Sequence, residues 1–310
     1  MAEPRAADRD PVKGFLYAAG ATVILSLTTY IFSKYAMDKD RGLNPATFAF
    51  VWTGAASGFL LILLIVRGQW RGIRLSRRAA KTMVVMGVLG GLAHIFFWCG
   101  LALLNAAFAS FLMRFMSVLV IVGCVVFLGE RLSGFEVIAI AVMLAGGCVC
   151  FIGTWQVSGA GLALILLCTV AGAAWRVLAK AGAPHVAPMV GNFYRVAISA
   201  VLVGIWAAAS GRLEFHAEPA RWAAVFTGAL LGPCIAMSLM FTSYRYWDLS
   251  RTSMVVMAEP LIVLPASLLL PGRPLSLEQL GGGLIILGAG FWLVWMHGRR
   301  RLNSRENAVR

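Results

Sequence analysis

Residues 106–133 read AAFASFLMRFMSVLVIVGCVVFLGERLS, an apolar run that ends at a turn beginning with Gly129. The run is long enough to form a transmembrane helix, which needs about 20 consecutive, mostly apolar residues. Similar runs recur along the chain, which is 60% hydrophobic and 13% charged and has a mean hydropathy of +0.82. Soluble domains are about 45–50% apolar and about 25% charged, so lipid has to cover much of this surface. The sequence therefore predicts an integral membrane protein.

The apolar runs predict an all-α fold, because they lack the alternation of barrel strands and only helices or closed barrels satisfy the backbone in lipid. We predict ten transmembrane helices, at residues 14–36, 45–66, 82–104, 106–128, 135–154, 160–180, 188–209, 222–244, 250–270 and 278–297. Residues 1–13 are expected to form a disordered leader and residues 299–310 a basic tail. Most Lys and Arg fall on the side of the N-terminus, which predicts a multi-pass bacterial inner-membrane protein with both termini in the cytoplasm.

The first stretch has a second copy later in the chain. Residues 249–276 read LSRTSMVVMAEPLIVLPASLLLPGRPLS and match residues 106–133 at a shift of 143. The matches at this shift include Ser110 with Ser253, Gly129 with Gly272, Leu144 with Leu287, and Pro45 with Pro188. The chain thus divides into two repeats, at 14–154 and 155–298. With five helices each, the repeats are oppositely oriented, an arrangement typical of transporters that bind their solute near the midplane.

The turn at residues 127–133, with its Leu-Gly-Glu-Arg sequence, precedes a glycine-rich segment at 144–147. Pro260 lies midway along the ninth predicted helix, and Trp175 and Lys180 lie in the sixth. On these features the chain resembles the EamA-type transporters of the drug/metabolite transporter superfamily. The resemblance implies ten helices in two inverted repeats and the transport of a small organic solute.

Charged side chains inside a bilayer are costly, so they usually face a cavity or a partner. Arg114 lies in the fourth predicted helix and Glu259 in the ninth. Two roles are open for Arg114: it binds a carboxylate or phosphate of the solute, or it is the counter-ion of Glu259. Glu259 either takes up a proton during transport or stays in that ion pair. The two helices are repeat mates, which is consistent with their facing each other.

Two further arginines lie within predicted helices. Arg176 either faces the cavity or extends to the membrane surface, since long basic side chains often do. Arg195 either faces the cavity or stabilises the helix bundle. If either faces inward, the cavity is cationic.

Polar and aromatic side chains complete the predicted solute site. His94 and Trp98 share one helix face and form a polar-aromatic wall, unless His94 is a core residue bonded to a neighbouring helix. The predicted substrate-binding residues are Arg114, Glu259, His94, Trp98, Tyr30, Trp175, Arg176, Tyr194 and Arg195.

The preferred function is a secondary active transporter, an exporter or exchanger, working by alternating access. Its expected partners are the lipid bilayer and a small solute, namely an amino acid or another metabolite bearing a carboxylate or phosphate. A homodimer is left open. The formal net charge of +14 is attributed to membrane topology and not to nucleic-acid binding. We expect no metal site, no cofactor and no enzymatic activity. The alternatives are a lipid-carrier flippase, an accessory membrane protein and, less favoured, a membrane-embedded lipid enzyme.

Overall fold

The structure, a computed structural model, describes residues 10–37, 42–69, 72, 74–129, 134–152, 158–182 and 186–267, and scattered positions between 277 and 292. Within these ranges the regular secondary structure is helical, and we number the helices α1 to α9. The unbroken helices are α2 (Pro45–Val66), α3 (Arg77–Leu103), α5 (Gly134–Ile152), α6 (Gly159–Gly182) and α7 (Pro188–Ala209).

The other four helices are irregular near their centres. Helix α1 runs through Pro11–Leu25, a π-helical stretch at Ser26–Phe32, and Ser33–Ala36; helix α8 runs through Pro219–Ala229, a π-helical stretch at Leu230–Ala236, and Met237–Tyr246. Helix α4 is divided into Ala106–Leu112 and Arg114–Leu128, and α9 into Leu249–Val256 and Glu259–Ser267. The described positions between 277 and 292 are helical as well.

Local capping explains where the observed helices differ from the predicted spans. The Asp10 carboxylate accepts hydrogen bonds from two amides of the first turn, so α1 begins at Pro11, three residues before the predicted start. Ser76 caps α3 in the same way, and this helix begins at Arg77. The end of α4 agrees with the prediction: Gly129 has a φ of 67° and ends the helix at Leu128, because a residue without Cβ adopts this left-handed conformation easily.

Seven of the described helices are long and apolar enough to cross a bilayer. The chain is therefore a multi-pass membrane protein. The predicted number of ten helices stays a prediction, because much of the span at 278–297 lies outside the described residues. Residues 1–9 of the predicted leader and the predicted tail at 299–310 also lie outside them.

The two repeats pack with an internal two-fold symmetry. Helix α1 packs on α8 and α9, and its mate α6 packs on α3 and α4. Helix α2 packs on α8 as α7 packs on α3, and the mates α2 and α7, like α4 and α9, contact each other. Exchanging these helices for their repeat mates therefore leaves these main contacts unchanged.

The repeats run in opposite directions. We call the end of the bundle where α1 begins and α8 ends the proximal end, and the end where α1 and α3 finish the distal end. Gly161, near the start of α6, lies against Leu103 and Leu104 at the end of α3. Helix α6 therefore starts at the distal end, whereas its mate α1 starts at the proximal end.

Each repeat ties its first helix to the end of its third helix through a lysine. Lys34, near the end of α1, donates hydrogen bonds to the carbonyl groups of Leu101 and Leu104, both at 2.7 Å. Lys180, near the end of α6, makes the corresponding bonds at the end of α8, at 2.6 Å and 2.8 Å. The last carbonyl groups of a helix have no partner within it, and a cation there is favoured by the helix dipole. The two lysine caps lie at opposite ends of the bundle.

We predict that Lys34→Met and Lys180→Met each lower the melting temperature in detergent. A cation at a helix C-terminus stabilises the folded protein by about 0.3–1 kcal/mol, and by up to about 2 kcal/mol when it is partly buried. Its loss corresponds to a decrease of a few degrees in the melting temperature. Thermal unfolding of the purified protein measures this. Lys81→Met, at an exposed position of α3, is the matched control and should leave the melting temperature unchanged. Equal melting temperatures in all three variants would contradict the proposed role of the caps.

Candidate functional site

A hollow lies between the two repeats, at the middle of the bundle. Its volume is about 800 Å³, including its open space, and helices α1 to α4 and α6 to α9 all contribute to its lining. Helix α5 contributes no described residue to the cavity. It packs at the periphery, where the absent side chain of Gly146 leaves room for the backbone at Gly282.

The lining follows the internal symmetry. Many cavity residues occur as pairs separated by the repeat shift of 143 residues, so that both members face the same hollow from opposite repeats. The pairs include Trp52 with Arg195, His94 with Met237, and Met116 with Glu259. In α1 and α6 the shift is 146, as for Lys34 and Lys180, and it pairs Tyr30 with Arg176. The two repeats therefore line the cavity with equivalent backbone positions, but the side chains at these positions differ in charge and polarity.

Arg114 connects the two discontinuous helices. Its side chain is buried, and it donates to the Glu259 carboxylate, to the Val256 carbonyl and, at 3.0 Å, to the Ser110 carbonyl. Pro260 has no backbone N–H, so it cannot bond the Val256 carbonyl four residues earlier. The guanidinium group takes the place of that missing donor and pairs with the neighbouring acid. The break in α9 is thereby satisfied from α4.

Two guanidinium groups lie against one indole ring on the proximal side of the cavity. The Cζ atoms of Arg176 and Arg195 are 5.3 Å and 4.8 Å from the centroid of the Trp175 ring. Cations are attracted to the faces of aromatic rings at such distances. Arg195 also donates to the Asn192 side-chain oxygen at 3.0 Å, and Arg176 contacts the sulfur of Met116. Among the described residues, neither arginine forms an ion pair with a carboxylate.

Three polar side chains of the cavity have an atom that is buried without a hydrogen-bond partner among the described residues. These atoms are Nδ1 of His94, Nε1 of Trp98 and Nε of Arg195. A buried polar group without a hydrogen-bond partner lowers the stability of the folded protein by about 1–3 kcal/mol. Because all three residues line the cavity, a bound solute or water can supply the missing bonds.

The distal side of the cavity is aromatic. The ring of Trp98 lies 4.7 Å from that of Phe97 and 5.5 Å from that of Trp52, with the planes steeply inclined. Tyr30 packs edge-on against Phe97 at 5.6 Å. This wall offers flat apolar surfaces to a solute, and the indole N–H of Trp98 is the polar atom that it presents without a partner among the described residues.

Comparison with known proteins identifies the family. The model of the EamA-like transporter family matches twice, over residues 12–152 and 159–295. The chain belongs to the EamA-like transporter family. The family relationship predicted from the sequence is thus confirmed, and the two matches show two EamA repeats. The predicted repeat boundaries stay a prediction.

A solved structure shares the fold of this chain without close sequence similarity. The structure, titled "Crystal structure of protein", superposes with a TM-score of 0.70 at 16% sequence identity, over 91% of this chain and 96% of that one. At this identity the match concerns the fold alone. None of the curated proteins compared with the chain matches it.

The structure brings together eight of the nine residues predicted to bind solute in this EamA-like protein. They are Arg114, Glu259, His94, Trp98, Tyr30, Trp175, Arg176 and Arg195. Tyr194 is not among the lining residues, and its ring packs against Phe193 instead. Arg176 lines the cavity and Arg114 is paired with Glu259, so one of the two arrangements left open for each is observed. Whether these residues bind solute stays a prediction.

Sequence reasoning missed several lining residues because they resemble ordinary core residues. Trp52, Met116 and Met237 carry no charge and lie within apolar helices. The repeat contained the necessary signal. Subtracting or adding the shift of 143 leads from Arg195 to Trp52, from Glu259 to Met116 and from His94 to Met237.

We predict that Glu259→Gln destabilises this EamA-like protein by about 3–5 kcal/mol, because it leaves the Arg114 guanidinium buried without its counter-ion. Arg114→Gln should have an effect of similar size, since it also removes the donor to the Val256 carbonyl. Reversible unfolding in a detergent mixture measures both free energies. The double variant Arg114→Met/Glu259→Met should be less destabilised than the sum of Arg114→Met and Glu259→Met. Additive effects would show that the two side chains do not act as a pair.

Proposed function

We propose that the protein is a secondary active transporter, an exporter or exchanger, that moves a small organic anion by alternating access. The solute is an amino acid or another metabolite that carries a carboxylate or phosphate. It occupies the central cavity between the two repeats. This proposal goes beyond family membership, which leaves the solute and the mechanism open.

The charge of the cavity is the observation that carries the proposal. Arg114 and Glu259 neutralise each other, whereas Arg176 and Arg195 have no carboxylate partner among the described residues. Guanidinium groups bind carboxylate and phosphate through strong, often paired hydrogen bonds. The unpartnered atoms of His94, Trp98 and Arg195 add further groups for binding a polar solute.

The position of the cavity favours transport over a static binding role. In transporters with inverted repeats, solute binds near the midplane where the repeats meet, and the repeats rock around it. Here eight helices from both repeats surround the hollow. The absence of charge balance inside it would be costly in a purely structural interior.

Alternating access requires contacts between the repeats that open at one end while the other end stays closed. At the distal end, Arg221 of α8 donates to the Tyr35 carbonyl of α1 at 2.8 Å. At the proximal end, the ring of Phe15 in α1 packs edge-on against that of Trp247, which follows α8, at 6.2 Å. Both contacts join the same two helices from different repeats.

We predict that proteoliposomes containing the protein take up carboxylate- or phosphate-bearing metabolites, selected beforehand by their stabilisation of the purified protein. Arg195→Gln should raise the KM of such a solute about 10- to 100-fold, because a hydrogen bond to a charged group contributes about 1.5–3 kcal/mol. Arg212→Gln, which alters an exposed arginine after α7, is the matched control and should leave uptake unchanged.

Two results would contradict this function. One is equal uptake of the anions and of their uncharged amide analogues. The other is lipid translocation across the proteoliposome membrane without movement of any soluble solute, which would favour a flippase.

A further inference from the structure

The charges in the cavity also bear on how many charges the solute carries. Among the described lining residues the formally charged groups are Arg114, Arg176, Arg195 and Glu259. Glu259 is bound to Arg114, and that guanidinium group is further occupied by two carbonyl groups. Two positive charges thus remain without an acid among these residues.

The two remaining cations lie together. Both guanidinium groups contact the same Trp175 ring, at 5.3 Å and 4.8 Å from its centroid. Their other partners, the side chains of Asn192, Met116 and Tyr244, carry no formal charge. Like charges repel each other strongly where water is excluded. An anion with two charges between them relieves this repulsion more completely than an anion with one charge.

The repeat shows that this cationic pair is not required by the fold. The mate of Arg176 is Tyr30, and the mate of Arg195 is Trp52. The same backbone positions are therefore occupied by uncharged aromatic residues in the other repeat. The cations belong to α6 and α7 and lie on the proximal side of the cavity, whereas the aromatic wall lies on the distal side.

Arg195 is held in place while its Nε atom has no hydrogen-bond partner among the described residues. Asn192 accepts from Nη2 of Arg195 and donates to the Pro233 carbonyl at 2.8 Å. This contact fixes the side chain relative to α8. The Nε atom of Arg195 is buried and has no partner among the described residues. A guanidinium group bonds an oxyanion best through two parallel N–H groups, and Nε commonly supplies one of them.

We propose that the transported solute carries a dianionic head group, a phosphomonoester or a pair of carboxylates, that binds between Arg176 and Arg195, with its body against Trp98 and Trp52. This inference rests on the proposed transport function and specifies its solute. It assigns Arg176 and Arg195 to charge selection and Arg114 to the pairing of α4 with α9. The solute then lies with its charged end towards the proximal end of the bundle.

Matched probes that differ by one charge test the proposal. Phenyl phosphate is compared with methyl phenyl phosphate, and phenylsuccinate with its monoamide, by stabilisation of the purified protein and by uptake into proteoliposomes. In at least one pair, we expect the dianion to be bound and transported about 10-fold or more better than the monoanion, since a further charged hydrogen bond contributes about 1.5–3 kcal/mol. The pair that responds identifies the head group as phosphate or dicarboxylate.

Variants of the cavity arginines show which residues select the dianion over the monoanion. Arg176→Gln should abolish the preference for the dianion while monoanion uptake persists, and Arg176→Lys, which keeps the charge, should retain part of it. The control Arg212→Gln should keep the full preference. Should Arg176→Gln fail to fold, Arg195→Gln locates the selection, and the pH dependence of the parent protein tests the preference for the dianion. The second ionisation of a phosphomonoester has a pKa of about 6, so uptake of phenyl phosphate should fall below that pH while uptake of methyl phenyl phosphate does not.

Equal binding and uptake of the dianion and monoanion in both pairs would overturn the dianion inference and leave anion transport intact. A preference that survives Arg176→Gln and Arg195→Gln would overturn the assignment of the site. Failure of all four probes to bind would also overturn the inference. The proposed function fails separately, if no anionic metabolite is taken up in preference to its uncharged analogue.

Discussion

The contact of Arg114 with α9 is the constraint on which the centre of the bundle depends. Pro260 deprives the Val256 carbonyl of its helical donor, and in lipid an unsatisfied carbonyl is costly. Arg114 supplies that donor from the other repeat and pairs with Glu259 at the same point. The contact joins two mates, α4 and α9, across the internal two-fold axis. A break in both helices can therefore persist beside the cavity without an unpaired charge or carbonyl at that point.

The pairing of Arg114 with Glu259 determines which positive charges of the cavity are left without an acid. Had Glu259 faced Arg176 or Arg195, that guanidinium group would be neutralised and Arg114 would lack a counter-ion. Because it faces Arg114, two guanidinium groups remain against Trp175, and three buried polar atoms of the lining lack partners among the described residues. A cavity of this kind is stabilised by its ligand. The distal aromatic wall gives the same hollow a second, apolar surface.

The starts of helices were predicted correctly from the sequence where a single residue type marks them. Pro45 and Pro188 start α2 and α7 as predicted, because proline suits the first position of a helix. The start of α3 was missed because hydropathy detects the apolar part of a helix, whereas Ser76 caps a charged first turn. The orientation of Arg176 and the partner of Arg114 depend on which faces of distant helices meet. Hydropathy carries no such information, although the repeat would have led from Arg195 to Trp52.

The lysine caps have a consequence for how the bundle deforms. Each cap fastens the first and third helices of one repeat at a single end, distal for Lys34 and proximal for Lys180. The opposite ends of the same helix pairs lack the corresponding lysine contact in the described structure. In each repeat, the first and third helices are therefore joined at one end and can separate at the other. The joined ends of the two repeats lie at opposite ends of the bundle. For the proposed alternating access, this means that the two ends of the bundle open through different pairs of helices.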